Sequence, residues 1–129
     1  MSRFASLFAS IFLVSTTYNV PAQESGDPAS GEKIFKRCSI CHKLDADESR
    51  RGPLLEGVVG RPAAAASDYP YSDAMRAAAA GGLVWTEEQL ALFLKRPQGM
   101  IKGTWMAFPG LGKSKEIRDV IAYLRQHQT

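Results

Sequence analysis

The chain is poor in the residues that build metal and redox sites, with two cysteines and two histidines among 129 residues. Zinc sites take three or four protein ligands, and His127 lies far from the cysteines in sequence, so no zinc ligand set is present at short spacing. A thioredoxin-type cysteine pair needs a β-α-β setting, and no convincing strand is found. Charges of both signs nearly balance, at a formal net charge of +3, so overall charge predicts no strong binding to nucleic acid or membranes.

Both cysteines belong to one short motif, Cys38-Ser39-Ile40-Cys41-His42. C-x-x-C-H is a haem-attachment motif. The two thiols add to the vinyl groups of haem and become thioethers, and the following histidine is held under the iron, where it can supply an axial nitrogen. The motif predicts one covalently attached haem c.

The N-terminus is typical of a secretory signal peptide. Arg3 supplies a positive charge, residues 4–14 are largely apolar, and Val20-Pro21-Ala22 is a small-residue exit. We predict that residues 1–22 are removed and that residues 23–129 form one domain in the bacterial periplasm; an uncleaved anchor is the alternative. The apolar stretch is short for a membrane span, and nothing later resembles one, so stable membrane insertion is not expected. Haem attachment to C-x-x-C-H takes place outside the bacterial cytoplasm, so the two signals support each other.

Helical patterns dominate the remaining sequence, and each predicted helix begins at a residue that caps helix N-termini. The helices are expected from Asp27 to about Ile40, from Ser72 to about Ala80, from Thr86 to just before Pro97, and from Ser114 through Leu124. Long irregular segments at 43–71 and 97–112 separate them. Such segments are unusual in a compact domain, and wrapping a cofactor is one reason to have them. The pattern predicts an all-α domain of four helices.

Several motifs in order resemble the small single-haem (class I) cytochromes c, the mitochondrial protein and its bacterial relatives. The resemblance covers essentially the whole mature chain, and the alanines before Gly81 are closer to the bacterial branch. The similar segments are G-E-K-I-F at 31–35, the C-x-x-C-H motif, G-P-L-L-E-G-V-V-G-R at 52–61, Y-S-D-A at 71–74, Trp85, G-T-W-M-A-F at 103–108 and V-I-A-Y-L at 120–124. The resemblance implies the cytochrome c fold, with three to five helices around the covalent haem.

The resemblance also implies the haem site. His42 and Met106 are the expected iron ligands, with Met100 as the rival methionine, and imidazole with thioether raises the reduction potential relative to two imidazoles. Four other residues are expected around the haem: Pro53 accepting a hydrogen bond from His42, Tyr71 and Trp85 donating to a buried propionate, and Arg61 offsetting its charge. The packing partners expected between the first and last helices are Phe35, Tyr123 and Leu124.

Three residues depart from the family pattern. Phe93 stands where relatives usually have a tyrosine that hydrogen-bonds the methionine sulfur. Lys102 replaces a usual proline, and Trp105 replaces a usual lysine. Trp105 is either a partner contact or a side chain that folds back on the haem loop.

These expectations describe a soluble, monomeric periplasmic one-electron carrier, and no enzyme, that serves respiratory or photosynthetic partners. Partners are expected to dock at the haem edge, through Trp105 and basic side chains that are otherwise ordinary solvated residues: Lys36, Arg37, Lys43, Lys102, Lys113 and Lys115. One alternative is a haem enzyme or gas sensor in which Met106 does not bind iron. Another is a cytochrome subunit fixed to one dehydrogenase through Trp105.

Overall fold

The computed structural model describes residues 24–45 and 51–128, which form five helices. These are α1 Pro28–Phe35, α2 Asp73–Ala80, α3 Glu87–Lys95, α4 Pro97–Met100 and α5 Ser114–Gln126. Over those two ranges the only β pairing is an isolated bridge between Pro62 and Val84. The all-α prediction is confirmed. The predicted signal peptide lies outside the described residues.

Three of the four predicted caps are present. Asp27 accepts from Ala29 N and Ser30 N, Ser72 from Met75 N, and Thr86 from Gln89 N. The sequence T-x-x-Q at 86–89 fits a capping box, but only the bond from Gln89 N to the Thr86 side chain forms, because the backbone N–H of Thr86 donates to Val84 O. The fourth prediction was wrong: Ser114 is the first residue of α5, and Lys113 at the cap position makes no side-chain cap bond.

The first helix ends earlier than predicted, at Phe35 instead of about Ile40. Beyond it the backbone tightens, since Arg37 N donates to Ile34 O and Cys38 N to Phe35 O, each three residues back. Such three-residue bonds wind the chain more tightly than an α-helix. The cysteines therefore lie in turns after the helix and not in its last turn.

The helix α4 was not predicted, and its four residues lie in a stretch expected to be loop. Proline at the first helical position favours this start. The Pro97 side chain is also among the most deeply buried in the described chain, which fixes α4 against the core.

The helices α1 and α5 form the main helix–helix contact of the described chain. The rings of Phe35 and Tyr123 pack with centroids 5.3 Å apart, as the sequence predicted. Gly31 allows the close approach, because a Cβ there would lie 2.6 Å from the carbonyl carbon of Asp119 and 2.8 Å from Cβ of Tyr123.

A buried carboxylate ties α5 to the start of α1. The Asp119 side chain is 5% exposed and accepts from Lys115 Nζ at 2.7 Å and from Asp27 N at 2.8 Å. These bonds lower the pKa of Asp119, the Lys115 bond having the larger effect.

One hydrophobic core joins all the elements that carry the candidate site. The residues that α5 contributes to this core lie on one face of the helix, at the spacing i, i+3, i+4, i+7: Ile117, Val120, Ile121 and Leu124. No helix in residues 24–45 or 51–128 has the length and apolar character needed to cross a membrane.

Candidate haem site

The C-x-x-C-H motif forms a single tight turn. The carbonyl of Cys38 accepts from Cys41 N at 3.0 Å and from His42 N at 2.9 Å. Both cysteines are free and half-buried, and burial raises the pKa of the Cys38 thiol. The turn places two thiols within three residues and an imidazole immediately after them.

The His42 ring is oriented by a backbone carbonyl. Its Nδ1 lies 2.7 Å from Pro53 O. A carbonyl oxygen only accepts, so Nδ1 carries the proton and Nε2 keeps its lone pair. Burial lowers the pKa of His42, the Pro53 bond opposes this, and the charge of Arg61 lowers it further. The expected hydrogen bond to Pro53 is present, and it leaves the Nε2 lone pair free to bind a metal.

Gly52 is a site residue that the sequence analysis did not single out. A Cβ at this position would lie 2.6 Å from Cε1 and 2.8 Å from Nδ1 of His42. Its N–H donates to Cys41 O at 2.9 Å, which holds the 52–53 segment against the C-x-x-C-H turn. The available signal was the glycine immediately before Pro53, since only a residue without Cβ lets the backbone lie against the ring.

Arg61 and Trp85 are neighbours through their backbones. Trp85 N donates to Arg61 O at 2.9 Å, and Gly60 N donates to Trp85 O at 2.8 Å. The Arg61 guanidinium donates to Leu54 O at 2.8 Å and to Glu56 O at 3.0 Å. Arg61 therefore pins the 54–56 loop to the segment that carries Trp85.

One donor of this pair is buried without a hydrogen-bond partner, namely Arg61 Nε. The indole of the buried Trp85 packs on Phe93, with ring centroids 4.9 Å apart. Buried donors are almost always paired, so Arg61 Nε fits an anionic group such as a haem propionate. The residues present therefore fit the cofactor that the motif implies.

Tyr71 lies in the loop that leads into α2. Its hydroxyl oxygen accepts from Ala66 N at 3.3 Å, and its ring stacks edge-on against Tyr69 with centroids 5.0 Å apart. Within the described part of the chain no group accepts the Tyr71 hydroxyl proton, which remains available for donation. Among the described residues no hydrogen bond joins Tyr71 to Arg61 or Trp85, and Tyr71 packs against the hydrophobic core to which Trp85 belongs.

The three methionines in the described residues have different surroundings. Met75 on α2 is buried in the core, and Met100 on α4 borders a surface cleft with Leu92 and Leu111. Met106 is half-buried and packs against the same core as Cys38. Its loop is held by Gln98, a second residue that the sequence analysis did not single out, since a polar side chain in a glycine-rich stretch carries no local signal.

The candidate docking residues differ in how free their charged groups are to contact a partner. Lys115 is bonded to the buried Asp119, and Arg37 lies 3.8 Å from Glu116. Lys36, Lys102 and Lys113 are exposed. Trp105 is 62% exposed, so its side chain does not fold back into the protein.

An all-α domain with a C-x-x-C-H turn, an oriented histidine and a buried arginine nitrogen without a partner is typical of a haem-binding electron-transfer protein. The sequence profile of the family described as cytochrome c matches residues 28–128. The chain is 46% identical over 100 residues to cytochrome c2 of Agrobacterium tumefaciens, covering 77% of this chain and 90% of that protein.

Solved structures agree with that match. Cytochrome c2 from Rhodospirillum centenum superposes with a TM-score of 0.75 at 35% identity, covering 81% of this chain and 100% of that one. Cytochrome cH from Methylobacterium extorquens gives 0.72 at 40% identity, covering 78% and 99%. The chain belongs to the cytochrome c family. It has the cytochrome c fold, and its cofactor is a covalently bound haem c with one iron.

Proposed function

We propose that this protein is a soluble one-electron carrier of the periplasm, and no enzyme, with haem c attached through Cys38 and Cys41. His42 and Met106 are the proposed iron ligands. The observation that carries the proposal is the 2.7 Å hydrogen bond from His42 Nδ1 to Pro53 O. It fixes the ring so that Nε2, one residue beyond the attachment cysteines, is presented as a ligand.

Met106 is the proposed second ligand because of the family resemblance of its segment, G-T-W-M-A-F at 103–108. Met75 is enclosed on α2. Met100 and Met106 are both half-buried and pack against the same core, and Met100 also borders a surface cleft. With the His42 imidazole and the Met106 thioether both bound, the iron would have no position left for a substrate, and the haem would supply one-electron chemistry at a raised potential.

Arg61, Trp85 and Tyr71 are the proposed propionate residues. Arg61 Nε is buried without a hydrogen-bond partner, and no group in the described chain accepts the Tyr71 hydroxyl proton. The indole N–H of the buried Trp85 is the third proposed donor. Arg61 supplies the positive charge that makes burial of an ionised propionate tolerable. Its two carbonyl bonds keep the guanidinium from turning away.

Partner docking is proposed at the surface around Trp105. Basic side chains steer association and make its rate sensitive to salt. Lys115 forms an ion pair with Asp119 and is therefore expected to contribute little to partner attraction. The main contributions are expected from the following exposed lysines: Lys36, Lys102 and Lys113. Arg37 and Lys43 are expected to contribute less. Trp105 supplies an exposed aromatic contact of the kind that concentrates binding energy. We propose that the protein works as a monomer between respiratory or photosynthetic redox proteins.

The periplasmic location rests on the sequence. Arg3, the apolar residues 4–14 and the exit at Ala22 support export and removal of residues 1–22. N-terminal sequencing of the exported protein tests this directly: a mature chain that begins at Gln23 is expected, and recovery of the intact N-terminus would contradict it.

The carrier function is tested by an equilibrium redox titration of the haem-loaded mature protein. We expect one reversible one-electron transition, and a substantially lower potential in Met106→Ala because the thioether that favours Fe(II) is lost. Met100→Ala is the matched control and should titrate like the wild type. A potential that moves with Met100 and not with Met106 would overturn the assigned ligand.

A further inference from the structure

The side chain of Gln98 closes the loop that carries Met106. Its Nε2 donates to Thr104 O at 2.6 Å and to Met106 O at 3.3 Å. Its Oε1 accepts from Gly103 N at 3.3 Å. One primary amide therefore contacts the backbone of three residues within the 103–106 segment.

The loop has few other hydrogen bonds, although Thr104 is buried and Met106 packs against the core. Thr104 N donates to Ile101 O at 3.1 Å, and Met106 N donates to Thr104 Oγ1 at a long 3.4 Å. Gly103 has a positive φ of 94°, a conformation that glycine adopts at little cost. Among the residues that the structure describes, the Gln98 amide supplies the only side-chain hydrogen bonds that reach this loop from another element.

Gln98 projects from a fixed base. It follows Pro97, whose side chain is fully buried, and it belongs to α4, which packs on α3. Because α4 is held in place, the loop cannot move away from it without breaking all three hydrogen bonds to the Gln98 amide.

We propose that Gln98 is a positioning residue that holds Met106 at the haem iron and sets how readily the methionine dissociates. The inference rests on the proposed ligand role of Met106. The influence of Gln98 is exerted through the backbone carbonyl of the ligand residue and through the two residues at the start of the loop.

Gln98→Glu is the sharpest test because it keeps the shape of the side chain and removes both donors. A carboxylate accepts only, so the bonds to Thr104 O and Met106 O are lost. Added imidazole can bind the iron of the oxidised, haem-loaded protein only after the methionine has dissociated. At high imidazole concentration the binding rate therefore reaches a limit, which is the rate of methionine dissociation. We expect this limiting rate to rise about tenfold, the change that follows from losing two hydrogen bonds of ordinary net strength.

Gln128→Glu is the matched control. Gln128 Nε2 donates to Val59 O at 2.7 Å, so this variant introduces the same charge and removes the same kind of bond elsewhere. Its imidazole rate should equal that of the wild type. Gln98→Ala serves as a second variant without added charge, and should increase the rate in the same direction if the glutamate variant folds poorly.

The outcomes separate the inference from the proposed function. Faster imidazole binding in both Gln98 variants supports the positioning role of Gln98, provided that their midpoints of guanidinium unfolding differ little from that of Gln128→Glu. Unchanged rates in both, or an equal rise in Gln128→Glu, overturn it. If the wild type shows no far-red sulfur-to-iron band, or Met106→Ala leaves that band unchanged, the ligand assignment fails instead.

Discussion

Replacing Gly31 with alanine is expected to destabilise the protein because α1 and α5 cross at this residue. The new Cβ would lie 2.6 Å from the carbonyl carbon of Asp119 and 2.8 Å from Cβ of Tyr123. Carbon atoms pack at about 3.5–4.0 Å, so the helices must separate by roughly 1 Å. The neighbour is largely backbone, and no side-chain rotation relieves the clash.

The size of the effect follows from two opposing terms. Overpacking a core contact costs about 1–3 kcal/mol and sometimes more. Alanine in place of a helical glycine returns up to about 1 kcal/mol. Because the clash is with backbone, the upper part of the first range applies, and the free energy of unfolding should fall by about 2 kcal/mol.

Guanidinium unfolding of the haem-loaded protein, followed by far-ultraviolet circular dichroism, measures this change. With a denaturant slope of about 4 kcal/mol/M, the midpoint should fall by about 0.5 M. Gly112→Ala is the control, since a Cβ there meets nothing within 4 Å, and its midpoint should match the wild type. Equal midpoints for the two variants would refute the close crossing of α1 and α5.

Three further results are expected. Asp119→Asn should lower the free energy of unfolding at pH 7 by about 1.5–3 kcal/mol, the range for a hydrogen bond to a charged group. Because the folded pKa of Asp119 lies below its unfolded value, this stability is present above about pH 4 and is lost as the pH falls through the folded pKa. Urea unfolding of both proteins from pH 7 to pH 3 should show the difference shrinking, and a constant gap would contradict the linkage. Arg61→Gln should lower the reduction potential in a redox titration, because a positive charge that opposes oxidation is removed; an unchanged potential would place Arg61 away from the haem. Trp105→Ala should weaken binding to an isolated redox partner, measured by surface plasmon resonance, while the midpoint of unfolding stays the same, since its ring is 62% exposed; unchanged affinity would remove Trp105 from the docking surface.

Structural features that depend only on neighbouring residues were predictable from the sequence. The caps at Asp27, Ser72 and Thr86 bond to N–H groups two or three residues ahead, so local pattern suffices. The buried face of α5 follows from helical periodicity because one side of the helix meets the core.

Features that depend on distant segments were not predictable. The early end of α1 at Phe35 reflects tighter turns around the cysteines, which apolar spacing does not encode. Ser114 has the right residue type for a cap, but the helix begins one position earlier than that role requires.

The supporting residues of the candidate site show the same limit. The C-x-x-C-H motif predicted the haem-attachment residues directly, and the family resemblance implied Met106 as the second ligand. The contact of Gly52 with the His42 ring and the reach of Gln98 to the Met106 loop depend on how two loops fold back. Such contacts are set by tertiary structure and leave no periodic or capping signal.

The most direct test of the His42–Met106 site is an optical spectrum of the haem-loaded mature protein, oxidised and reduced, with and without carbon monoxide. A closed site predicts a weak far-red sulfur-to-iron band in the oxidised wild type, its loss in Met106→Ala, and no carbon monoxide binding by the reduced wild type. A high-spin oxidised spectrum, or ready carbon monoxide binding, would show an open iron and would contradict the electron-carrier account in favour of a haem enzyme or gas sensor.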